Sequence, residues 1–260
     1  MKPRLRRSAP SGRAAISAPA GDSARIASGG RQFRRLGDIL LIAGGLILAY
    51  PFWSAGYAQV QQSRLDAAYR DTSSHFAEVT AHAGSYQPQS VPDSEIVRRL
   101  AVAYGRGLES GDAIGRLKIP RISLDRLVQQ GVGGATSIDP DGDRALLRSG
   151  PVHYAVTPLP GGGEPFAVAG HRTTYGAPFA RLDDLRRGDA VLVETPYARL
   201  RYSVVKKTVV RPTDVSVLLD RGYALVLTTC TPPYSASHRL VVWGSLESST
   251  PRVQASSITR

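Results

Sequence analysis

A long stretch without charge near the N-terminus divides this sequence into parts that cannot share one folding environment. Residues 39–63 carry no charged side chain, and the stretch opens with ILLIAGGLILAYPFW. A helix of about 20 such residues crosses the hydrocarbon of a bilayer, and Tyr50, Trp53 and Tyr57 suit an interfacial aromatic belt. The sequence therefore predicts one transmembrane helix over residues 39–60, which acts as an uncleaved signal anchor.

A cleaved signal peptide and a buried helix of a soluble core are the two alternatives for this segment. Gly56-Tyr57-Ala58 is a weak cleavage site, but almost forty residues precede the apolar stretch, which is long for a signal peptide. An uncharged run of this length is also uncommon in a water-soluble core. Arginines at 31, 34 and 35 precede the helix, so the positive-inside rule places the N-terminus in the cytoplasm and the rest of the chain outside the cell membrane.

Most of the positive charge lies before this helix. The chain has a formal net charge of +12, and residues 1–35 contain nine basic residues against one acidic residue. Residues 1–38 are also rich in Ser, Ala, Gly and Pro, so we expect a disordered cytoplasmic tail. Its charge can be attracted to anionic lipid, and we predict no nucleic-acid partner.

Two further regions follow the membrane segment. Residues 61–111 are predicted to form an extracytoplasmic stalk, in which a helix continues from the membrane and breaks at Pro88 and Pro92. Ser94 is predicted to cap a second, short helix that runs to Tyr104. Within the stalk, His75 and His82 are predicted to be solvated. After Gly111 come seven short β-prone runs separated by turn residues, which predict a mainly β domain over residues 112–248, a sandwich or a barrel. Residues 178–188 look like a helical turn or two, and residues 249–260 are predicted to be a disordered tail.

Cys230 is the only cysteine and so has no partner for a disulfide within the chain. A free cysteine is either buried and inert or kept for reactivity. The strand YALVLTTC ends at Cys230, and the next strand begins at Arg239. If the two strands pair, the guanidinium lies beside the thiol, where it can favour the thiolate and bind an oxyanion. The alternative for Arg239 is a charge that merely solubilises a strand edge.

A thiol nucleophile also needs a residue that transfers protons. The candidate is His171 in FAVAGHRTTYGAPF, because it directly follows an apolar strand and a glycine. His153 and His238 are the alternatives, although His238 and Arg239 are adjacent in a strand and point to opposite faces.

The strings AGHRTTYGAPF and LTTCTPPYSASHRLVV resemble the histidine and cysteine–arginine motifs of sortases, and the resemblance covers roughly residues 115–246. These two motifs are most similar to those of class E sortases of high-GC Gram-positive bacteria, the actinobacteria. The resemblance implies an eight-stranded sortase β-barrel after the transmembrane helix. It also implies that Cys230 is the nucleophile, His171 the general acid and then base, and Arg239 the oxyanion-stabilising residue. Four further residues are expected to border the substrate: Thr229, His153, Tyr175 and Ser235.

The same resemblance implies a thiol transpeptidase that needs neither metal nor cofactor. Such enzymes cleave a Leu-Pro-x-Thr-Gly or Leu-Ala-x-Thr-Gly sorting signal on surface proteins between Thr and Gly. An amine of a peptidoglycan precursor or of a pilin lysine then resolves the thioester, which anchors the protein to the cell wall or to a pilus. Val226, Glu164-Pro165 and Thr231 depart from the family pattern and leave the preferred signal open.

The sequence also leaves two alternative functions and one alternative binding site to consider. A catalytically silent β-domain that binds an extracellular partner is expected to lose one of the three reacting residues, and none is lost. A cysteine hydrolase shares every step up to the thioester and is not excluded. Asp139, Asp141 and Asp143 have the spacing that opens a calcium loop, but Gly150 occupies its twelfth position, so a turn is predicted there.

Overall fold

The computed structural model describes residues 23–83, 91–132, 144–163 and 165–252. The chain forms two compact units, Met1–Leu48 and Ala49–Arg260. Helix α1 (Ser23–Ala83) is continuous and includes Pro51. Its residues 34–78 are long and apolar enough to span a membrane, and no other helix in the described ranges meets that test.

The helix begins earlier than the sequence predicts. Residues 23–38 are helical rather than disordered, because extending an existing helix adds one hydrogen bond for each residue fixed. Residues 1–22 lie outside the described part of the chain. The predicted continuation of the helix beyond the membrane segment is present as far as Ala83. His75 is exposed as expected, whereas the side chain of His82 is not among those described.

The second predicted helix is also present. Helix α2 (Asp93–Gly105) starts directly after Pro92, one residue before the predicted cap at Ser94. It buries Val97, Ala101 and Tyr104, which share one face at spacings of four and three residues.

Eight strands close into one barrel in the order β1-β2-β3-β4-β7-β8-β6-β5, which confirms the barrel predicted above. Two neighbouring pairs, β2–β3 and β4–β7, are parallel, and the others are antiparallel. The strands are β1 (Ala113–Ile119), β2 (Leu124–Gln130), β3 (Val152–His153), β4 (Phe166–Ala169), β5 (Ala190–Glu194), β6 (Ala198–Val210), β7 (Leu225–Thr231) and β8 (His238–Pro251). A short helix α3 (Arg144–Leu147) and 3-10 turns at Pro120–Ile122, Leu182–Asp184 and Val215–Leu218 connect them.

Three local predictions differ from the structure. Strand β3 was missed, since two residues carry no periodic signal. The helix expected over residues 178–188 is only the 3-10 turn Leu182–Asp184. Strand β8 continues past residue 248 to Pro251, which pairs with Ala198 of β6, and the amide of Arg252 then donates to the carbonyl of Tyr197 at 2.8 Å.

Apolar side chains form two clusters on opposite faces of β7. Leu225 and Leu227 belong to the larger cluster, which includes the buried face of α2. Val226 belongs to the smaller cluster, together with Val241 and Trp243 of β8. Because side chains alternate along a strand, Thr228 and Cys230 lie on the same face as Val226.

Candidate active site

The thiol and the guanidinium are placed by one strand pair. Strands β7 and β8 are antiparallel, and Cys230 lies directly opposite Arg239 in their register. This confirms the predicted cross-strand neighbours. His238 is opposite Thr231 and is exposed, with its Nδ1 3.0 Å from the hydroxyl of Ser237.

Arg239 is buried and held in a fixed orientation. Only 4% of the residue is exposed, and its Nη1 donates to the carbonyls of Ala236 at 2.8 Å and His238 at 3.1 Å. Ala236 lies in the connection between β7 and β8, and His238 is the first residue of β8. A buried guanidinium beside a thiol favours the thiolate and has donors suited to a developing oxyanion.

The segment carrying His171 is bonded to the same strand. After β4, the amide of Gly170 donates to the carbonyl of Thr228 at 3.1 Å, and the hydroxyl of Thr229 donates back to the carbonyl of Gly170 at 2.7 Å. The carbonyl of His171 accepts from the amide of Phe179 at 3.0 Å. The two hydrogen bonds of Gly170 thus extend the contact between β4 and β7 as far as the residue before His171.

A cavity of about 380 Å³ brings the three predicted residues together. His171, Cys230 and Arg239 all line it, and Cys230 is half-buried. Its other lining residues are Arg144, Leu147, Arg148, Ala169, Gly170, Tyr175, Thr228, Thr229 and Ala236. A thiol, an imidazole and a guanidinium in one cavity are the kinds of group that acyl transfer through a thioester requires.

The four predicted substrate-bordering residues divide into two groups. Thr229 and Tyr175 line the cavity, and the Tyr175 ring centroid is 5.4 Å from that of His171. The Thr229 hydroxyl, however, is bonded to the carbonyl of Gly170 and so supports the histidine segment. Ser235 does not line the cavity, although its neighbour Ala236 does, and its hydroxyl donates to Ser237 at 3.0 Å.

His153, which the resemblance predicts to border the substrate, lies in the interior of the barrel instead. Its side chain does not line the cavity and is only 1% exposed, packed with its ring centroid 5.2 Å from that of Phe166. Its ring nitrogens lie 2.9 Å from Gln130 Oε1 and 3.0 Å from Thr157 Oγ1. Burial lowers the pKa of His153 to about 4, so it is a neutral structural residue at neutral pH.

Arg172 is a positioning residue that sequence reasoning missed. Its side chain is 7% exposed and pairs through Nη2 with Asp183 Oδ2 at 2.8 Å. Its Nη1 donates to the hydroxyl of Thr231 at 3.0 Å and lies 3.5 Å from the carbonyl oxygen of Cys230. Arg172 thus connects the loop of His171 with Cys230 and Thr231. The sequence shows only a cation directly after His171, and its partners Asp183 and Thr231 cannot be identified from the sequence.

Within the described ranges, no group of three or more His, Cys, Asp or Glu side chains is arranged to hold a metal ion. Asp139, Asp141 and Asp143, predicted to form a turn, lie outside the described residues.

A closed β-barrel with cysteine, histidine and arginine side chains in one cavity defines the class, a cysteine-dependent acyl-transfer enzyme. The family model of the sortase domain matches residues 117–247, about half of the chain. The chain belongs to the sortase family, whose members are cysteine transpeptidases.

The relatives include class E sortases, as the sequence motifs indicated. The chain is 25% identical to sortase SrtE1 of Streptomyces coelicolor over 235 aligned residues. The alignment covers 84% of this chain and 58% of that protein. The chain is 29% identical over 234 residues to sortase SrtE2 of the same species, covering 81% of this chain and 80% of that protein. The chain therefore spans less than two thirds of the first of these relatives.

Solved structures of the family also resemble it. Sortase E1 of Streptomyces coelicolor, solved with a tripeptide in its active site, is 28% identical, with 56% of this chain and 94% of that chain covered and a TM-score of 0.45. Sortase E of Streptomyces avermitilis is 34% identical, with 55% and 93% covered and a TM-score of 0.46.

Proposed function

We propose that this protein is a membrane-anchored transpeptidase that cleaves a Leu-Ala-x-Thr-Gly or Leu-Pro-x-Thr-Gly sorting signal between Thr and Gly. The observation that carries the proposal is the register of Cys230 opposite Arg239, with His171 in the same cavity. An amine of a peptidoglycan precursor or of a pilin lysine accepts the cleaved protein. Tyr175 and Thr229 border the bound signal.

The chemistry follows from the positions of these groups. The Cys230 thiolate attacks the carbonyl carbon of the signal threonine, and the oxygen that becomes negative accepts hydrogen bonds from Arg239. The carbon–nitrogen bond to glycine breaks as protonated His171 gives its proton to the leaving amine. The resulting thioester on Cys230 is attacked by the acceptor amine, which loses a proton to His171 as the thiolate leaves.

The test is mass spectrometry of the full chain in detergent with the two signal peptides. Wild-type protein is expected to cleave after Thr, to carry an acyl adduct on Cys230, and to give a new amide product when an amine such as triglycine is added. Cys230→Ala is the control that should show neither adduct nor product. Cleavage whose products are unchanged by the amine would instead establish a hydrolase, and the absence of cleavage and adduct would refute the proposal.

We further propose that residues 39–60 anchor the chain and that the barrel lies outside the cell. The apolar helix of suitable length and the arginines before it support this orientation. Because Cys230 is the only cysteine, a membrane-impermeant maleimide applied to intact cells tests it directly. Labelling of wild type but not of Cys230→Ala is expected. Labelling only after lysis would place the barrel in the cytoplasm.

A further inference from the structure

Helix α1 packs against the barrel along one face. Within the compact unit that begins at Ala49, Ser54, Ala58 and Gln62 are buried at intervals of four residues, with exposures of 1%, 7% and 8%. This spacing is one stripe of a helix. Further along the same stripe, Asp66 forms an ion pair with Arg116 of β1, and the hydroxyl of Tyr69 donates to the carbonyl of Glu194 at 3.1 Å.

Gln62 replaces a missing strand neighbour. Its Oε1 accepts from the amide of Leu127 at 2.9 Å, and its Nε2 donates to the carbonyls of Leu127 at 3.2 Å and Ser149 at 2.9 Å. Strand β3 pairs with β2 only at Gln129 and Gln130 within the described ranges, so Leu127 lies beyond the end of that ladder. A buried backbone amide and carbonyl need partners, and the Gln62 amide supplies both. The helix is therefore fixed to the barrel at a defined rotation and height.

At that rotation, the helix contacts the loop that carries His171. The ring of Tyr57 meets that of Tyr175 edge to face, with centroids 6.3 Å apart, and the hydroxyl of Tyr50 is 3.4 Å from the hydroxyl of Tyr175. Gly176 lies so close to Ala58 that an added Cβ would be 3.7 Å from the Ala58 methyl group.

Tyr175 is held in an unusual backbone conformation. Its φ of 52° lies in the left-handed region, which costs energy for a residue other than glycine. Its ring centroid is 5.4 Å from that of His171, 6.5 Å from that of Tyr50 and 6.3 Å from that of Tyr57, and the Arg148 guanidinium is 5.8 Å from it. Edge-to-face aromatic contacts of this kind are stabilising, so the helix favours this placement of Tyr175.

We propose that the outer end of the anchor helix, from Tyr50 to Gln62, supports the active-site loop from behind, and that Tyr57 positions His171 through Tyr175. This inference rests on the proposed transpeptidase function. Tyr57 does not line the cavity, so it is a positioning residue. The reactivity of the histidine then depends on the anchor helix being docked, with Gln62 as the fixing point.

The test uses the full chain in detergent, with Tyr57→Ala, the ring-preserving Tyr57→Phe, and Val60→Ala as a matched control on the exposed face, where Val60 is 53% exposed. Peptide cleavage gives kcat and KM, and amide hydrogen exchange reports on residues 171–177 without any substrate. We expect Tyr57→Ala to lower kcat about tenfold with KM within about twofold, since a misplaced proton-transfer group loses part of its contribution. Exchange at residues 171–177 should rise, and both other variants should match wild type.

A second variant tests the fixing point itself. Gln62→Leu is close in size but cannot bond the backbone, so the amide of Leu127 should exchange faster and residues 171–177 should respond as in Tyr57→Ala. Wild-type kcat and exchange in Tyr57→Ala would overturn the inference. Faster exchange throughout the barrel would also overturn it, because that indicates general destabilisation. If wild type cleaves neither signal peptide, the proposed function fails, while the exchange experiment still decides whether Tyr57 orders the loop.

Discussion

The substitution Gly170→Ala places one methyl group at a crowded point directly before His171, the proposed proton-transfer residue. A Cβ at this position would lie 2.6, 2.8 and 2.9 Å from three ring carbons of Phe179. Phe179 is fully buried, so its ring cannot swing into solvent. Gly170 cannot retreat easily either, since its amide and carbonyl are both bonded to β7, through Thr228 and Thr229.

The size of the effect follows from these distances. Carbon atoms in ordinary contact are about 3.5 Å apart, so the ring or the backbone must move by roughly 1 Å. Overpacking of this kind destabilises a fold by about 1–3 kcal/mol. Phe179 and His171 share a backbone hydrogen bond, so the histidine moves as well. A displacement of about 1 Å at reacting groups can lower kcat/KM on the order of 100-fold.

Peptide cleavage and denaturant unfolding of the full chain in detergent measure the two effects separately. Gly107→Ala is the matched control, because its nearest atom would be 4.0 Å from the added Cβ, and we expect a change in the free energy of unfolding within about 0.5 kcal/mol. Adding Phe179→Leu to Gly170→Ala makes room for the methyl group. The double variant should therefore recover part of both losses, with a coupling free energy of about 0.5–3 kcal/mol. Wild-type kcat/KM and stability in Gly170→Ala would refute the reasoning.

Three further predictions concern Arg239, the Arg172–Asp183 pair and His153. Arg239→Ala should lower kcat on the order of 100- to 1000-fold in the peptide assay. Arg239→Lys should have a kcat between those of Arg239→Ala and wild type, because Lys keeps the positive charge but lacks the planar guanidinium. An equal loss of kcat in both variants would contradict a contribution from the charge. Arg172→Lys should lower kcat/KM about tenfold, because Lys lacks the planar fork whose two nitrogens bond Thr231 and Asp183. Asp183→Asn should lower it less, since Asp183 is half exposed. The reverse order would be inconsistent with this role. Burial lowers the pKa of His153 from about 6.5 in the unfolded chain to about 4 in the folded chain. Between these values the unfolded state binds more protons than the folded state. The free energy of unfolding therefore falls as pH is lowered from 6.5 towards 4, by at most about 1.4 kcal/mol per pH unit. Denaturant midpoints at pH 7 and 4.5 should show a smaller drop for His153→Gln, and an equal drop would exclude His153 as the cause.

The features that sequence predicted are those with a local or periodic signal. The uncharged run, the stalk helix and the alternating strands each repeat a pattern over many residues. The pairing of Cys230 with Arg239 was predictable because a short connection between two strands sets their register. The placement of His171 followed from its position directly after β4.

The features that were missed depend on contacts between residues far apart in the chain. Gln62 bonds Leu127, and Arg172 bonds Asp183 and Thr231, and neither a buried amide nor a buried guanidinium has a periodic signature. The interior position of His153 also depends on such contacts. The family resemblance predicts that His153 borders the substrate, but Gln130 and Thr157 hold its ring in the interior.

The three residues that we propose to react are all positioned by contacts with one strand, β7. Cys230 belongs to β7, Arg239 lies opposite it in β8, and the segment of His171 is bonded to Thr228 and Thr229 of the same strand. Strand β7 is itself fixed on both faces, by Leu225 and Leu227 in the larger cluster and by Val226 in the smaller one. Side chains on β7 therefore govern both stability and the geometry of the site. Among the described strands, β5 pairs with β1 and β6 and not with β7, so we expect substitutions in its core residues to affect stability more than the geometry of the site.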